Sequence, residues 1–253
     1  MLGWVIRWTI GSGSVDWYNV FQESVGVIDF SNALSVSGNR TGLDPHGFQL
    51  SHRIMHLEVD EDFRGWRFKF ASQRACEMVM RACAEDVDAR CKRFIATCKD
   101  SIFAALRGQV FEAYAHRVLA ACKELKGVRD LVTHELFQIS LGDRERVNFD
   151  CLAQMKNKEE YGVPNAANFP VLDFVAPPST AFQMTVSNSH PCVGSGATQM
   201  VDAGFTTLVF VVPHAHAKDF KPQPFLTLKG AVLKKTTTQM KKIRQAVYGL
   251  PLD

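Results

Sequence analysis

Not one lysine precedes Lys69 in this chain of 253 residues. A phosphate-binding G-x-x-x-x-G-K-[ST] loop is therefore excluded there, because that motif needs its lysine to reach the phosphates. The GSGS at 11–14 reads as a turn. No stretch offers about 18 consecutive apolar residues, so no membrane span is expected. The opening MLGWVIRWTIGSGS lacks the charged start and unbroken apolar core of a secretory signal. Also missing are H-E-x-x-H and G-x-S-x-G, which leaves no zinc-peptidase or serine-hydrolase site to argue. His52 and His56 have helical spacing but no H-E-x-x-H, and His214 and His216 follow Pro213 at a strand end and read as an exposed loop. The seven cysteines include no C-x-x-C knuckle. Four of them, Cys76, Cys83, Cys91 and Cys98, recur at helix-face spacing and read as buried, reduced thiols.

Acid is scarce elsewhere. From Phe220 to Leu252 there are seven basic residues (Lys221, Lys229, Lys234, Lys235, Lys241, Lys242 and Arg244) and no Asp or Glu. Of the 29 Lys and Arg in the chain this leaves 22 for the rest, against all 26 Asp and Glu. An acid-free segment in a chain of net charge +3 suits an anionic partner, most simply nucleic acid. Lys234, Lys235, Lys241, Lys242 and Arg244 are its candidate contacts. They surround the start of a helix expected from about Thr237 to Tyr248, with Met240, Ile243 and Val247 as its apolar stripe.

What is present reads as a mixed α/β chain. Residues 1–70 are loop-rich. From Ser72, a good N-cap, one helical stretch runs to about Glu85, a second covers roughly 86–99, and a third runs from about Ile102 to Lys123. After Gly127 the pattern turns to strands: VRDLVTHELFQIS, then RERVNFD across a Gly142-Asp143 turn. A short polar helix is expected at 151–160, two strands within 168–191, a glycine-rich crossover, and a buried strand at TTLVFVVP. Helices, a hairpin, then strands joined by crossovers predict a mixed sheet flanked by helices.

One carboxylate stands out. In NFPVLDFVAPPSTAFQMTVSNSHP, Asp173 is the lone acid in an apolar strand. On the next strand Gln183, Thr185 and Ser187 alternate with Phe182, Met184 and Val186. Placing Ala176 opposite Thr180 puts Asp173, Gln183 and Thr185 together; a one-residue slip buries the acid against Phe182 and Met184. In the third helix Gly108, Glu112 and His116 follow at i, i+4 and i+8, beside an apolar stripe of Phe103, Leu106, Val110, Tyr114 and Val118. Glu112 is expected on a helix packed beside that polar face. Gly108 suggests close approach of a sheet or a phosphate backbone. A helix acid and a strand acid beside polar groups suit Mg²⁺, which takes oxygen ligands and keeps several waters. No lysine stands near this pair, and Thr185 occupies the place where one is wanted.

These residues resemble a family. LRGQVFEAYAH (106–116), FPVLDFVAPPSTAFQMTVSNSHP, LVFVVP and KKIRQAVYGLPL are similar to the C-terminal region of Crinkler effectors and of the related retrotransposon hot spot proteins. FKFASQRACEMV is similar to the join after those proteins' ATPase domain. The resemblance covers roughly residues 50–252. It implies a restriction-endonuclease-like PD-(D/E)xK fold over 71–253, behind a helical lead-in, with 1–70 as the remnant of an ATPase domain's end. It makes Glu112 the helix acid, Asp173 the strand aspartate, and Gln183-Met184-Thr185 the (D/E/Q)-x-K element. The lysine is replaced by Thr185, with His190 or a lysine from 234–242 as substitutes. Mg²⁺ held by Glu112 and Asp173, DNA or a host nuclear protein as partner, and secretion toward a host nucleus are likewise implied. The alternatives are an inactive nuclease-fold module and a decayed fragment.

Overall fold

The computed structural model describes residues 55–59, 66–73, 75–77, 91–92, 94–96, 104–155, 157, 159–166 and 169–252. Strands β1 (Met55–Val59) and β2 (Trp66–Phe70) form an antiparallel pair. The Gln109 amide ties this pair to the next helix: its Oε1 accepts the Phe70 N–H at 2.7 Å. Ser72 caps the helical residues that follow, accepting the Ala75 N–H on Oγ at 3.0 Å. Helix α1 spans Ala104–Ala121. Then come β3 (Glu124–Asp130), β4 (Leu136–Ser140), β5 (Glu145–Phe149), β6 (Glu160–Pro164), β7 (Phe174–Ala176) and β8 (Thr180–Met184). After β9 (Cys192–Val193), helix α2 (Gly194–Asp202) leads to β10 (Thr207–Pro213). A helical turn, α3 (His214–Ala217), precedes β11 (Phe225–Leu226) and β12 (Arg244–Leu250).

Eight of the strands make one mixed sheet in the order β4-β3-β12-β10-β8-β7-β6-β5. β10 lies in its middle, parallel to β8 on one side and β12 on the other. Its run LVFVV is apolar at every position because both faces are covered. Val209 and Val211 join α1 in one core, whereas Leu208, Phe210 and Val212 join α2 residues Ala197 and Met200 in the other. Parallel strands need a crossover, and α2 supplies the one from β8 to β10. α2 lies close to the chain ahead of β7: a Cβ on Gly196 would sit 2.5 Å from the Pro170 Cβ. Only glycine fits there.

The sheet is curled. β4 and β5 are its two edges, yet only residues 141–144 join them. A flat sheet would set edges seven spacings apart, about 34 Å at about 4.8 Å each. The connection can span about 18 Å at most. Arg144 closes the seam. Its guanidinium donates to the carbonyls of Pro177 at 2.9 Å, Glu160 at 3.2 Å and Ser140 at 3.4 Å, and also to that of Leu141.

Three expectations are corrected here. The helix expected over 237–248 is a single 3-10 turn, Met240–Lys242, followed by strand β12. Positions 243 and 247 share a face at both the helical and the strand period, and Met240, Ile243 and Val247 do reach the α2-side core, two of them from a strand edge and its interior. The hairpin lies inside VRDLVTHELFQIS, where β3 and β4 pair antiparallel, and Gly142 belongs to the seam. The polar helix expected at 151–160 shrinks to the 3-10 turn Leu152–Gln154, with β6 beginning at Glu160. The α1 bounds and β10 agree with expectation. Cys76 and Cys91 are helical and buried, and neither forms a disulfide; Cys83, Cys98, Phe103 and most of 1–70 lie outside the described residues. No described helix is long and apolar enough to cross a membrane.

Candidate functional site

Asp173 stands one residue ahead of β7. Ala176 lies opposite Thr180 and Phe174 opposite Phe182, the register that the polarity of 181–187 requires. Asp173 therefore faces Gln183, and its backbone N–H donates to the Phe182 carbonyl at 2.8 Å. Gln183 Nε2 donates to Asp173 Oδ2 at 2.7 Å, and the Met184 N–H donates to the same oxygen at 2.5 Å. Strand N–H groups lie near the plane of a sheet, so a carboxylate that accepts one sits at the strand end rather than over a face. Two residues earlier Val171 has φ 77°, a conformation costly for a β-branched side chain, and it is held there by burial in the α2-side core.

The second acid reaches this point from the other layer. α1 packs on the face of Phe174, Phe182 and Met184. Gln183 belongs to the face of Ala181, so Glu112 is not on a helix beside the polar face, contrary to expectation. The Asp173 charge nevertheless acts electrostatically on Glu112. Around them is a buried aromatic column. Phe182 stacks on Phe174 with ring centroids 4.2 Å apart, and Phe174 stacks on Tyr161 at 4.4 Å. The Tyr161 hydroxyl is 2.8 Å from His116 Nδ1, and His116 Nε2 is 3.9 Å from Glu112 Oε1. At the rim Arg146 Nη2 donates to Glu77 Oε1 at 3.1 Å.

The electrostatics follow from that burial. Loss of water raises the Glu112 pKa well above the carboxylate range, and the nearby Asp173 and Glu77 charges raise it further. Asp173 is also raised by burial, against which the Met184 N–H and Gln183 bonds stabilise its anion. Like charges at one desolvated spot cannot both ionise cheaply. His116 is pushed down to about 3 by burial and by the Arg146 charge, so it is a neutral imidazole.

Thr185 is buried; its N–H donates to the Val211 carbonyl at 2.9 Å and its Oγ1 accepts the Ser187 N–H at 3.1 Å. His190 is half-buried, with burial lowering its pKa, and its N–H donates to Gln223 Oε1 at 2.6 Å. Lys234, Lys235, Lys241 and Lys242 are exposed. Arg244 opens β12 in register with Thr207 and Thr180, whereas Met184 is in register with Val211 and Tyr248. Arg244 thus begins its strand four residues, or about 13 Å along β8, from the level of Met184. Arg244 is engaged by Asp130 at 2.6 Å and lies 3.9 Å over the Phe137 ring.

Among the described residues no cluster of three or more His, Cys, Asp or Glu is placed to hold a metal. Two carboxylates suffice for Mg²⁺, which keeps much of its water. Asp173 and Glu112 fit that requirement, because each raises the cost of the other's charge and a cation would relieve both. Tyr161, Arg146 and Glu77 give no local signal, because they lie on separate segments that only the fold brings together. His116 was visible as the i+4 neighbour of Glu112, without a role.

No protein-family model matches the chain, and no solved structure matches it. Curated proteins do. The chain is 24% identical over 195 residues to Crinkler effector protein 15 of Phytophthora infestans. It is 22% identical over 192 residues to Crinkler effector protein 16 of the same organism. The chain is distantly related to Crinkler effectors. Each match takes in 70% of this chain, which spans 30% of the length of either relative.

Proposed function

We propose that residues 71–253 form a divergent, metal-dependent nuclease-fold domain of the Crinkler kind, acting on DNA. The observation that carries the reading is the Asp173–Gln183 hydrogen bond at a strand end, with Glu112 close enough for the two acids to feel each other. A mixed sheet flanked by helices is compatible with the PD-(D/E)xK arrangement. Glu112 and Asp173 are the ligands for Mg²⁺, together with the Met184 carbonyl, while Gln183 fixes the Asp173 carboxylate. When bound, the ion supplies Lewis-acid polarisation of a phosphodiester and a more acidic water. Lys234, Lys235, Lys241 and Lys242 give sequence-independent phosphate contacts away from the acids. Secretion and delivery to a host nucleus belong to this reading.

A second reading keeps the fold and removes cleavage: the domain binds DNA or a host protein. Thr185 motivates it, since a hydroxyl occupied by the Ser187 N–H neither neutralises charge nor activates water. Plasmid incubation with Mg²⁺, Mn²⁺ or EDTA, beside a DNA-binding assay, separates the two. Cation-dependent nicking lost in Asp173→Ala, with binding retained, supports the nuclease. Binding without nicking leaves the second reading, and neither activity removes both.

A further inference from the structure

We propose that His116 is the positioning residue for Glu112, and that Tyr161 fixes the His116 ring from behind. The inference rests on the reading of Glu112 and Asp173 as cation ligands and extends it inward. Glu112 and His116 are one helical turn apart, so their side chains leave α1 on the same side. His116 is 4% exposed and cannot swing out. Its ring is tilted against Phe174 at 5.7 Å and set edge-on to Tyr161 at 5.9 Å. The Tyr161 hydroxyl takes Nδ1, which leaves Nε2 as the atom facing the Glu112 carboxylate.

The His116–Tyr161 hydrogen bond joins the helix layer to the sheet at the site. Asp173 is fixed by β8 through Gln183 and Met184. Glu112 is fixed by α1, and its distance from Asp173 depends on how α1 rests on the sheet. Tyr161 is bonded to His116 and stacked on Phe174, which stacks on Phe182, the residue before Gln183. His116 and the three rings are thus the spacer that sets the helix acid against the strand acid. At 3.9 Å the Nε2–Oε1 contact is longer than a hydrogen bond, and a small rotation of the carboxylate closes it. Such outer groups orient ligands, and their loss typically costs about 10–100-fold in metal affinity.

The test titrates the full chain with Mn²⁺ alone in a calorimeter and records thermal melts of the same proteins in EDTA. His116→Leu fills the volume without a ring nitrogen and should weaken Mn²⁺ binding about 10-fold. His116→Gln, whose amide can reach the Nε2 position, should restore most of that loss. Tyr161→Phe keeps the stack and removes only the hydroxyl; it should weaken binding in the same direction by less, and it serves as the test if the leucine variant does not fold. A merely structural role would lower the EDTA melting temperature and leave the Mn²⁺ affinity of the folded protein at the wild-type value. That result overturns the inference while Asp173→Asn still abolishes binding. Wild-type protein that takes up no Mn²⁺, or Asp173→Asn that binds equally well, overturns the cation reading and the inference with it.

Discussion

Gln183 Nε2 and Asp173 Oδ2 are 2.7 Å apart, joining two antiparallel strands at the point where the sheet ends. The bond stabilises an anion that burial opposes. An acid whose folded pKa is raised holds more protons in the folded state than in the unfolded one. Stability without metal must therefore fall as pH rises from the ordinary carboxylate value toward the raised one.

Asp173→Asn removes the repelled charge while its amide oxygen can still accept from Gln183 and Met184. In EDTA the variant should melt at a higher temperature than wild type at about pH 8, with the gain shrinking by about pH 5. Thermal melts at the two pH values check this. A shift of equal size at both would mean that Asp173 is not under electrostatic strain.

Asp130 is the opposite case. Its side chain is only 7% exposed. Burial raises its pKa, but hydrogen bonds from the Thr133 N–H, Arg244 and the Val132 N–H outweigh this and hold the carboxyl down to about 2. Asp130→Ala should cost about 2 kcal/mol, because it removes a buried carboxylate that accepts charge-assisted hydrogen bonds from the exposed turn residues Val132 and Thr133 and from Arg244. Arg244→Ala should cost less, about 1 kcal/mol, since its side chain is 42% exposed and the pair is screened on that side. The Asp130 contribution is present above the ordinary carboxylate value and is lost as pH falls toward 2. Urea denaturation at neutral and acid pH measures both; an acid-insensitive penalty would assign the effect to packing.

The exposed lysines carry the nucleic-acid part of the reading. Replacing Lys234, Lys235, Lys241 and Lys242 by Gln should weaken DNA binding uniformly across sequences. It should also flatten the slope of log affinity against log salt by about 0.9 for each duplex phosphate that is no longer neutralised. Arg244→Gln, whose guanidinium is held by Asp130 and Phe137, should change the slope little. An unchanged slope in the quadruple variant would make this segment an ordinary solvated surface.

Gly108 lies inside α1, yet a Cβ placed on it meets nothing within 4 Å. The sheet does not approach it, contrary to one expectation from the sequence. Gly108→Ala should stabilise the protein by about 1 kcal/mol. If DNA affinity drops in that variant while stability rises, the glycine is there for a phosphate backbone.

Alternation between polar and apolar residues over 181–187 was enough to set the β7–β8 register and bring Gln183 to Asp173, because a one-residue slip would have buried a charge without a partner. The all-apolar run of β10 likewise announced a strand covered on both faces, and a long 3.6-period pattern announced α1. Local periodicity reports these directly. It could not separate helix from strand at 243–247, where both periods place the same residues inward. Nor could it show that β4 and β5, four residues apart in the chain, are opposite edges of a curled sheet. The layer from which Glu112 approaches was hidden as well, along with the link from His116 through Tyr161, Phe174 and Phe182. Those relations depend on contacts between segments far apart in sequence, and only packing the two cores on one sheet creates them.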